Sequence, residues 1–109
     1  MVVQVKRFDV FLVQLDPTLG AEIQKTRPYL IISPDEINDF LQTVIIDPMT
    51  TRLHSYPTRV TCRFQDRDAS IALDQIRTIA KSCLVSYLGH IDRFTQKQVL
   101  AVLAELFSE

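Results

Sequence analysis

The sequence predicts a mainly β fold with a C-terminal α-helix, a small barrel or roll on which the helix packs. Three observations carry this. Short runs rich in β-branched and aromatic residues recur as far as Ile91. The apolar period then changes from that of a strand to that of a helix. The length, 109 residues, suits a single domain over 1–109, and folding at that size buries roughly two-thirds of the unfolded surface.

Arg7 to Leu15 is the first strand, stopped by Asp16-Pro17 because proline cannot donate to a ladder and its predecessor avoids helix. A polar loop runs to Thr26. Tyr29 to Ile32 is an uninterrupted apolar run and reads as a buried strand ending at Pro34. Ser33 or Asp35 is placed to cap one helical turn through Phe40. Thr43 to Ile46 is the next strand, closed by Pro48. Thr58 to Phe64, Ser70 to Leu73, Gln75 to Ile79 and Leu84 to Ile91 are the remaining strand candidates. Thr95-Gln96-Lys97-Gln98 fits a capping box, with Phe94 and Val99 at staple positions. Val99, Val102, Leu103, Leu106 and Phe107 then keep helical spacing.

Composition is that of a globular protein, with 47% hydrophobic and 23% charged residues, which excludes a disordered or collagen-like chain. The net charge is −1, so no global positive field marks a nucleic-acid binder. The charge is uneven: residues 1–51 sum to −3 and residues 52–81 to +3. That basic middle suits a local anion site, although on charge alone a solvated strand-and-loop surface is the favoured reading. Cys62, Cys83 and the two histidines make no zinc signature, and the cysteines read as small buried thiols in a reducing cytoplasm. Two glycines are too few for a phosphate-cradling loop. No run resembles a signal peptide or spans a bilayer, so the expectation is a soluble, cytoplasmic protein without a membrane partner.

The informative segment is Asp16-Pro17 followed by Gly20-Ala21-Glu22 and Thr26-Arg27-Pro28 at the head of an apolar strand. Pro48-Met49-Thr50-Thr51, Tyr56-Pro57, Asp74-Gln75-Ile76-Arg77-Thr78-Ile79 and Leu88-Gly89 follow in order. This ordered set resembles the MazF/PemK/Kid family of toxin endoribonucleases over nearly the whole chain. The resemblance implies an SH3-like barrel, a homodimer, a small antitoxin partner and a single-stranded RNA substrate, with no cofactor and no metal. Three departures stand out. Phe8 occupies the place of the family's usual glycine before the first-strand Asp, Ala80 replaces a frequent Asp, and Ala72 stands where one branch has an Arg assigned an acid role.

Metal-free RNA cleavage uses the ribose 2′-OH as nucleophile and needs positive charge and hydrogen-bond donors at the phosphate, plus proton transfer. Arg27 is a permanent cation with a donor fork that matches phosphate, and Pro28 biases it to extended backbone. Thr50 offers a small hydroxyl. The resemblance makes Arg27 and Thr50 the catalytic pair, with Arg27 stabilising charge and the general base unassigned. Glu22, Asp74 and Gln75 are supporting candidates. Thr18, Lys25, Thr51, Arg52, His54, Tyr56 and Arg77 are candidate RNA contacts. Each has a plainer alternative: Arg27 pairing with Glu22 or Asp47, Thr50 as a turn residue, Asp74 and Gln75 as structural hydrogen-bonders, Arg77 as a support of fold or dimer. Phe40 reads as core or rim packing, while Tyr56 can stack on a base. Two rival functions are a CcdB-like toxin that binds DNA gyrase without cleaving anything, and a degenerate, non-catalytic barrel. The loops 16–26 and 51–57 are expected to set the RNA sequence that is cut.

Overall fold

Seven strands pair into one curled sheet, capped by a helix, in the computed structural model, which describes residues 4–15, 26–53 and 55–109. The elements are β1 (Asp9–Val13), β2 (Arg27–Ile31), α1 (Asp35–Asn38), β3 (Thr43–Thr50), β4 (Arg59–Phe64), β5 (Arg67–Ala72), β6 (Arg77–Ala80), β7 (Leu84–His90) and α2 (Arg93–Leu106). A 3₁₀ turn, Lys81–Cys83, leads into β7. The hydrogen-bonded order is β4-β5-β3-β2-β1-β7, with β6 pairing β3 beside β5, and every pair is antiparallel.

The two ends of this order meet. The β4–β5 hairpin turns at Gln65 and Asp66, both in the left-handed region (φ 52° and 63°) that a tight two-residue hairpin requires. At its tip the Gln65 side-chain amide donates to the Leu88 carbonyl of β7 at 3.2 Å. Phe64 lies against Gly89, whose φ of 141° would strain any side chain, while a Cβ there would only touch the Phe64 ring at 3.4 Å. The sheet is therefore curled into a half-barrel, as the sequence predicts.

Each face of the sheet carries a core. Val10, Leu30, Ile71 and Leu73 pack on the inner face against Val99 of α2. Phe11, Val13, Ile31, Val44 and Ile46 fill the other face, covered by Val5 and Cys83. Cys62 is half-buried and Cys83 buried, both free thiols. Among the described residues no helix is long and apolar enough to cross a membrane.

Four local expectations are corrected. Pro48 does not close β3, which continues to Thr50. β3 pairs β6 up to Ile46 and β5 from Met49, so Asp47 and Pro48 occupy a gap between those partners, where a missing N–H breaks no bond on that side. Neither Ser33 nor Asp35 caps α1, whose N-cap is Pro34. The Ser33 hydroxyl instead donates to Asn38 Oδ1 at 2.5 Å and accepts from the Ile45 amide at 3.1 Å, tying the turn to β3. α2 starts from Asp92, whose carboxylate accepts from the Thr95 amide at 2.8 Å, so Thr95 lies inside the helix and Phe94, 71% exposed, staples nothing. Phe40 is neither core nor packed rim: it stands 82% exposed after α1.

Candidate active site

Arg27 opens β2 with its side chain exposed, pairing with Val13 of β1. On the other side β2 meets β3 in the register Tyr29↔Pro48, Leu30↔Asp47, Ile31↔Ile46. Carried two residues further, that register sets Arg27 opposite Thr50. Residues directly opposite in antiparallel strands share a face. Arg27, Tyr29, Pro48 and Thr50 thus occupy one face, and Leu30, Asp47 and Met49 the other. Arg27 and Thr50 lie far apart in sequence, and the pairing of β2 with β3 brings their strands side by side.

Thr50 ends β3 and is also the partner of Ser70 in β5. Its Oγ1 accepts from the Arg52 amide at 3.1 Å, which leaves the hydroxyl proton free to be donated. A cleft of about 250 Å³ lies beside it, lined by Pro48, Thr50, Arg52, Arg59, Ala72 and Gln75. A second, more apolar cleft touches Thr50 together with Pro28, Thr51, Phe64, Arg67 and Leu88. Thr50 is therefore a shared wall between a cationic recess and an apolar one, a suitable setting for a phosphate flanked by bases.

Asp74 and Gln75 do not begin a strand; they occupy the turn between β5 and β6. Asp74 Oδ1 accepts from Arg59 Nε at 2.9 Å and from the Thr58 hydroxyl at 3.0 Å, while Arg59 Nη2 reaches Oδ2 at 3.5 Å. The hydrogen bond from Arg59, then those from the Asp74 backbone and Thr58, hold this carboxyl below the ordinary range against a small desolvation cost. Arg59 also lies over the Tyr56 ring, 5.2 Å from its centroid. Its side chain is only 10% exposed, so the guanidinium is held in place by Asp74 beneath and Tyr56 beside.

The structure thus gathers Thr50, Arg52 and Gln75 in one cleft, brings Asp74 to it through Arg59, and sets Thr51 in the neighbouring cleft. Arg77 lines neither: it sits exposed on β6, across from Ile46. Tyr56 is exposed and stacked on Arg59. Thr18, Glu22, Lys25 and His54 lie outside the described residues. Among the described residues no three His, Cys, Asp or Glu side chains cluster as a metal site would require.

Two residues were missed by sequence reasoning. Arg59 is one of several arginines in the basic middle, and nothing in its spacing marks it as the one facing Thr50. Asp47 is fully buried, and among the described residues neither carboxylate oxygen has a hydrogen-bond partner. It is no surface partner for Arg27, which lies on the opposite face of the sheet. Desolvation first, and then the Asp74 charge, push its carboxyl up to about 7. The alternation Ile45, Asp47, Met49 would have exposed this, had β3 been read through Pro48.

A family model described as PemK-like, MazF-like toxin of type II toxin-antitoxin system matches residues 6–107. The chain is 37% identical over 94 residues to the endoribonuclease EndoA of Bacillus subtilis, covering 81% of each protein. It is 35% identical over 100 residues to the endoribonuclease MazF of Staphylococcus saprophyticus, covering 86% of this chain and 83% of that one. A mycobacterial endoribonuclease solved in complex with its cognate antitoxin superposes with a TM-score of 0.79 at 25% identity, over 93% of this chain and 92% of the other. A MazE-MazF structure from Deinococcus radiodurans shares the fold, with a TM-score of 0.78 at 19% identity over 98% of both chains. By sequence and by fold, the chain belongs to the PemK-like, MazF-like toxins of type II toxin–antitoxin systems.

Proposed function

We infer that this toxin is an endoribonuclease that cuts single-stranded RNA, chiefly messenger RNA, at a short sequence, and so arrests translation and growth. The observation that supports this mechanism is the β2–β3 register through Tyr29↔Pro48, which, continued two residues, would face Arg27 with Thr50. The ribose 2′-OH attacks the adjacent phosphorus, and the bond to the 5′-oxygen breaks. The products are a 2′,3′-cyclic phosphate and a 5′-OH. Negative charge builds on the non-bridging oxygens as the phosphorus becomes five-coordinate. Arg27 offers two parallel donors and a permanent charge to those oxygens. The Thr50 hydroxyl donates to the same phosphate from the neighbouring strand. Arg27 ionises above ~12 and is unsuited to serve as a base. Arg52 and Arg59 add cationic field along the cleft, and Tyr56 presents a ring on which an unpaired base can stack. No step of this reaction calls for a metal.

The cognate partner is a small antitoxin, as in the mycobacterial complex. A partly disordered, acidic peptide laid over the cationic cleft would block substrate. The active species is a homodimer. Support comes from apolar side chains left on the surface of this protomer: Val85 and Tyr87 of β7, Phe94 and Leu100 of α2, and Phe107, which is 72% exposed. The chain freed of antitoxin, incubated with a long single-stranded RNA in EDTA, should cleave it and leave 5′-OH ends. Failure to cut any RNA under those conditions overturns the function.

A further inference from the structure

We propose that Asp47 is a positioning residue for RNA cleavage: its neutral carboxyl leaves the turn at 73–76 and Thr50 in place, and its ionised carboxylate displaces them. The inference rests on the ribonuclease reading above and adds to it a residue and a control. Three structural facts support it. Asp47 is fully buried and both of its oxygens lack partners among the described residues. It sits three residues before Thr50, at the gap where β3 has left β6 and has not yet met β5. The turn that spans this gap, between β5 and β6, carries Asp74 and Gln75.

A neutral carboxyl is tolerated in such a place, but an unpaired carboxylate is not. Once ionised, Asp47 must draw in water or move outward, and the unladdered stretch of β3 is where the strand can yield. Asp74 stays ionised because Arg59 and Thr58 hold it so, and it repels a second negative charge. No other charge among the described residues compensates. On β2, Arg27 lies on the opposite face of the sheet. On β6, Arg77 faces Ile46 and shares that opposite face. From the β4 side, Arg59 is engaged with Asp74. At the far end of β3, α1 contributes Asp35, which accepts from the Arg7 amide, and Glu36. The added charge is therefore relieved by displacing the Asp74–Gln75 turn from the Thr50 cleft.

The test is the pH profile of kcat/KM on a single-stranded RNA, paired with a carbon NMR titration of the aspartate carboxyls, which needs no catalysis. The parent should show one carboxyl titrating near pH 7, absent from Asp47→Asn, and a rate that falls about 30-fold between pH 6 and pH 8.5. Asp47→Asn cannot ionise, so its rate at pH 8.5 should exceed the parent's by at least ten-fold. Asp47→Ala serves the same comparison should the amide not fold. Asp74→Asn should move the Asp47 carboxyl midpoint to lower pH. An Asp47 carboxyl that titrates near 4, or an alkaline fall that persists unchanged in a folded Asp47 variant, overturns the proposal. Should the parent cut no RNA, the ribonuclease reading fails, while the carboxyl titration still decides whether Asp47 holds its proton.

Discussion

Arg59 grips Asp74 through two guanidinium nitrogens, at 2.9 and 3.5 Å, and so links the start of β4 to the turn before β6. The Asp74 carboxyl is held below its ordinary value, so the pair stabilises the fold above the unfolded-state pKa and is lost as pH falls through the folded one. Asp74 is over one-third exposed, and solvent screening limits the pair to about 0.5–1 kcal/mol. Asp74→Asn should lower stability by about that much at pH 7, less in molar salt, with the difference lost as pH falls through the lowered folded-state value. Urea melts across pH check this; a difference that grows toward acid would show that the pair is not what Asp74 contributes.

Removing Arg27 deletes both charge and fork, and loss of one such donor set lowers rates by about 10²–10³ or more. Arg27→Ala should abolish detectable cleavage, and Arg27→Lys, which keeps charge without the fork, should recover only a small part. Thr50→Ser should retain most activity and Thr50→Val little. Since both residues lie at strand ends near the surface, thermal unfolding should move by no more than about 1 kcal/mol in any of these. Full activity in Arg27→Ala would displace the site.

Phe8 adopts φ 76°, left-handed backbone in which glycine is unstrained and any side chain costs about 1–2 kcal/mol. Its amide still donates to the Ile31 carbonyl at 2.7 Å, its ring packs on the inner core, and Arg7 lies 5.6 Å above the ring. Both Phe8→Gly and Phe8→Ala lose that packing, but only alanine keeps the strain. Phe8→Gly should therefore be more stable than Phe8→Ala by about 1 kcal/mol, and both less stable than the parent. Equal stabilities would mean that the unfolded-state entropy of glycine cancels the relief.

Among the described residues two cations line the cleft, Arg52 and Arg59, and the proposed mechanism adds Arg27. RNA affinity should accordingly fall with salt at a slope of about −2 to −3 on logarithmic axes, near 0.7 per phosphate contact on a single strand. Filter binding with Thr50→Val, which keeps all three cations, between 50 and 300 mM salt would give it. A slope steeper than about −5 would place further phosphates on surfaces away from Thr50.

The strands were legible wherever β-branched residues run together, and α2 wherever Val99, Val102 and Leu103 keep their spacing. Boundaries were lost to tertiary context. Pro48 reads as a stop until the exchange of partners along β3 is seen. Thr95 and Asp92 are both good caps, three residues apart, and burial of Ile91 just before Asp92 favours the earlier one. The site was legible only in part. Neither Arg27 nor Thr50 announces the other, because their proximity is a property of register. The family pattern supplied that link. Arg59 and Asp47 owe their importance to what faces them across other strands, which no local window contains.

Among the described residues, the ladder between the β4–β5 hairpin and the rest of the sheet has two residue pairs, Met49↔Ile71 and Thr50↔Ser70, and the hairpin tip adds the Gln65 and Phe64 contacts with β7. With so short a ladder, the hairpin is held mainly by the burial of Val60, Ala69 and Ile71 in the inner core, and it should open as a separate cooperative element below the free energy of global unfolding. Amide hydrogens of β4 and β5 would then exchange faster than those of β1 and β2, with Thr50 at the boundary between the two regimes. Substrate or antitoxin that bridges this boundary would slow exchange throughout the hairpin, far beyond the residues it touches.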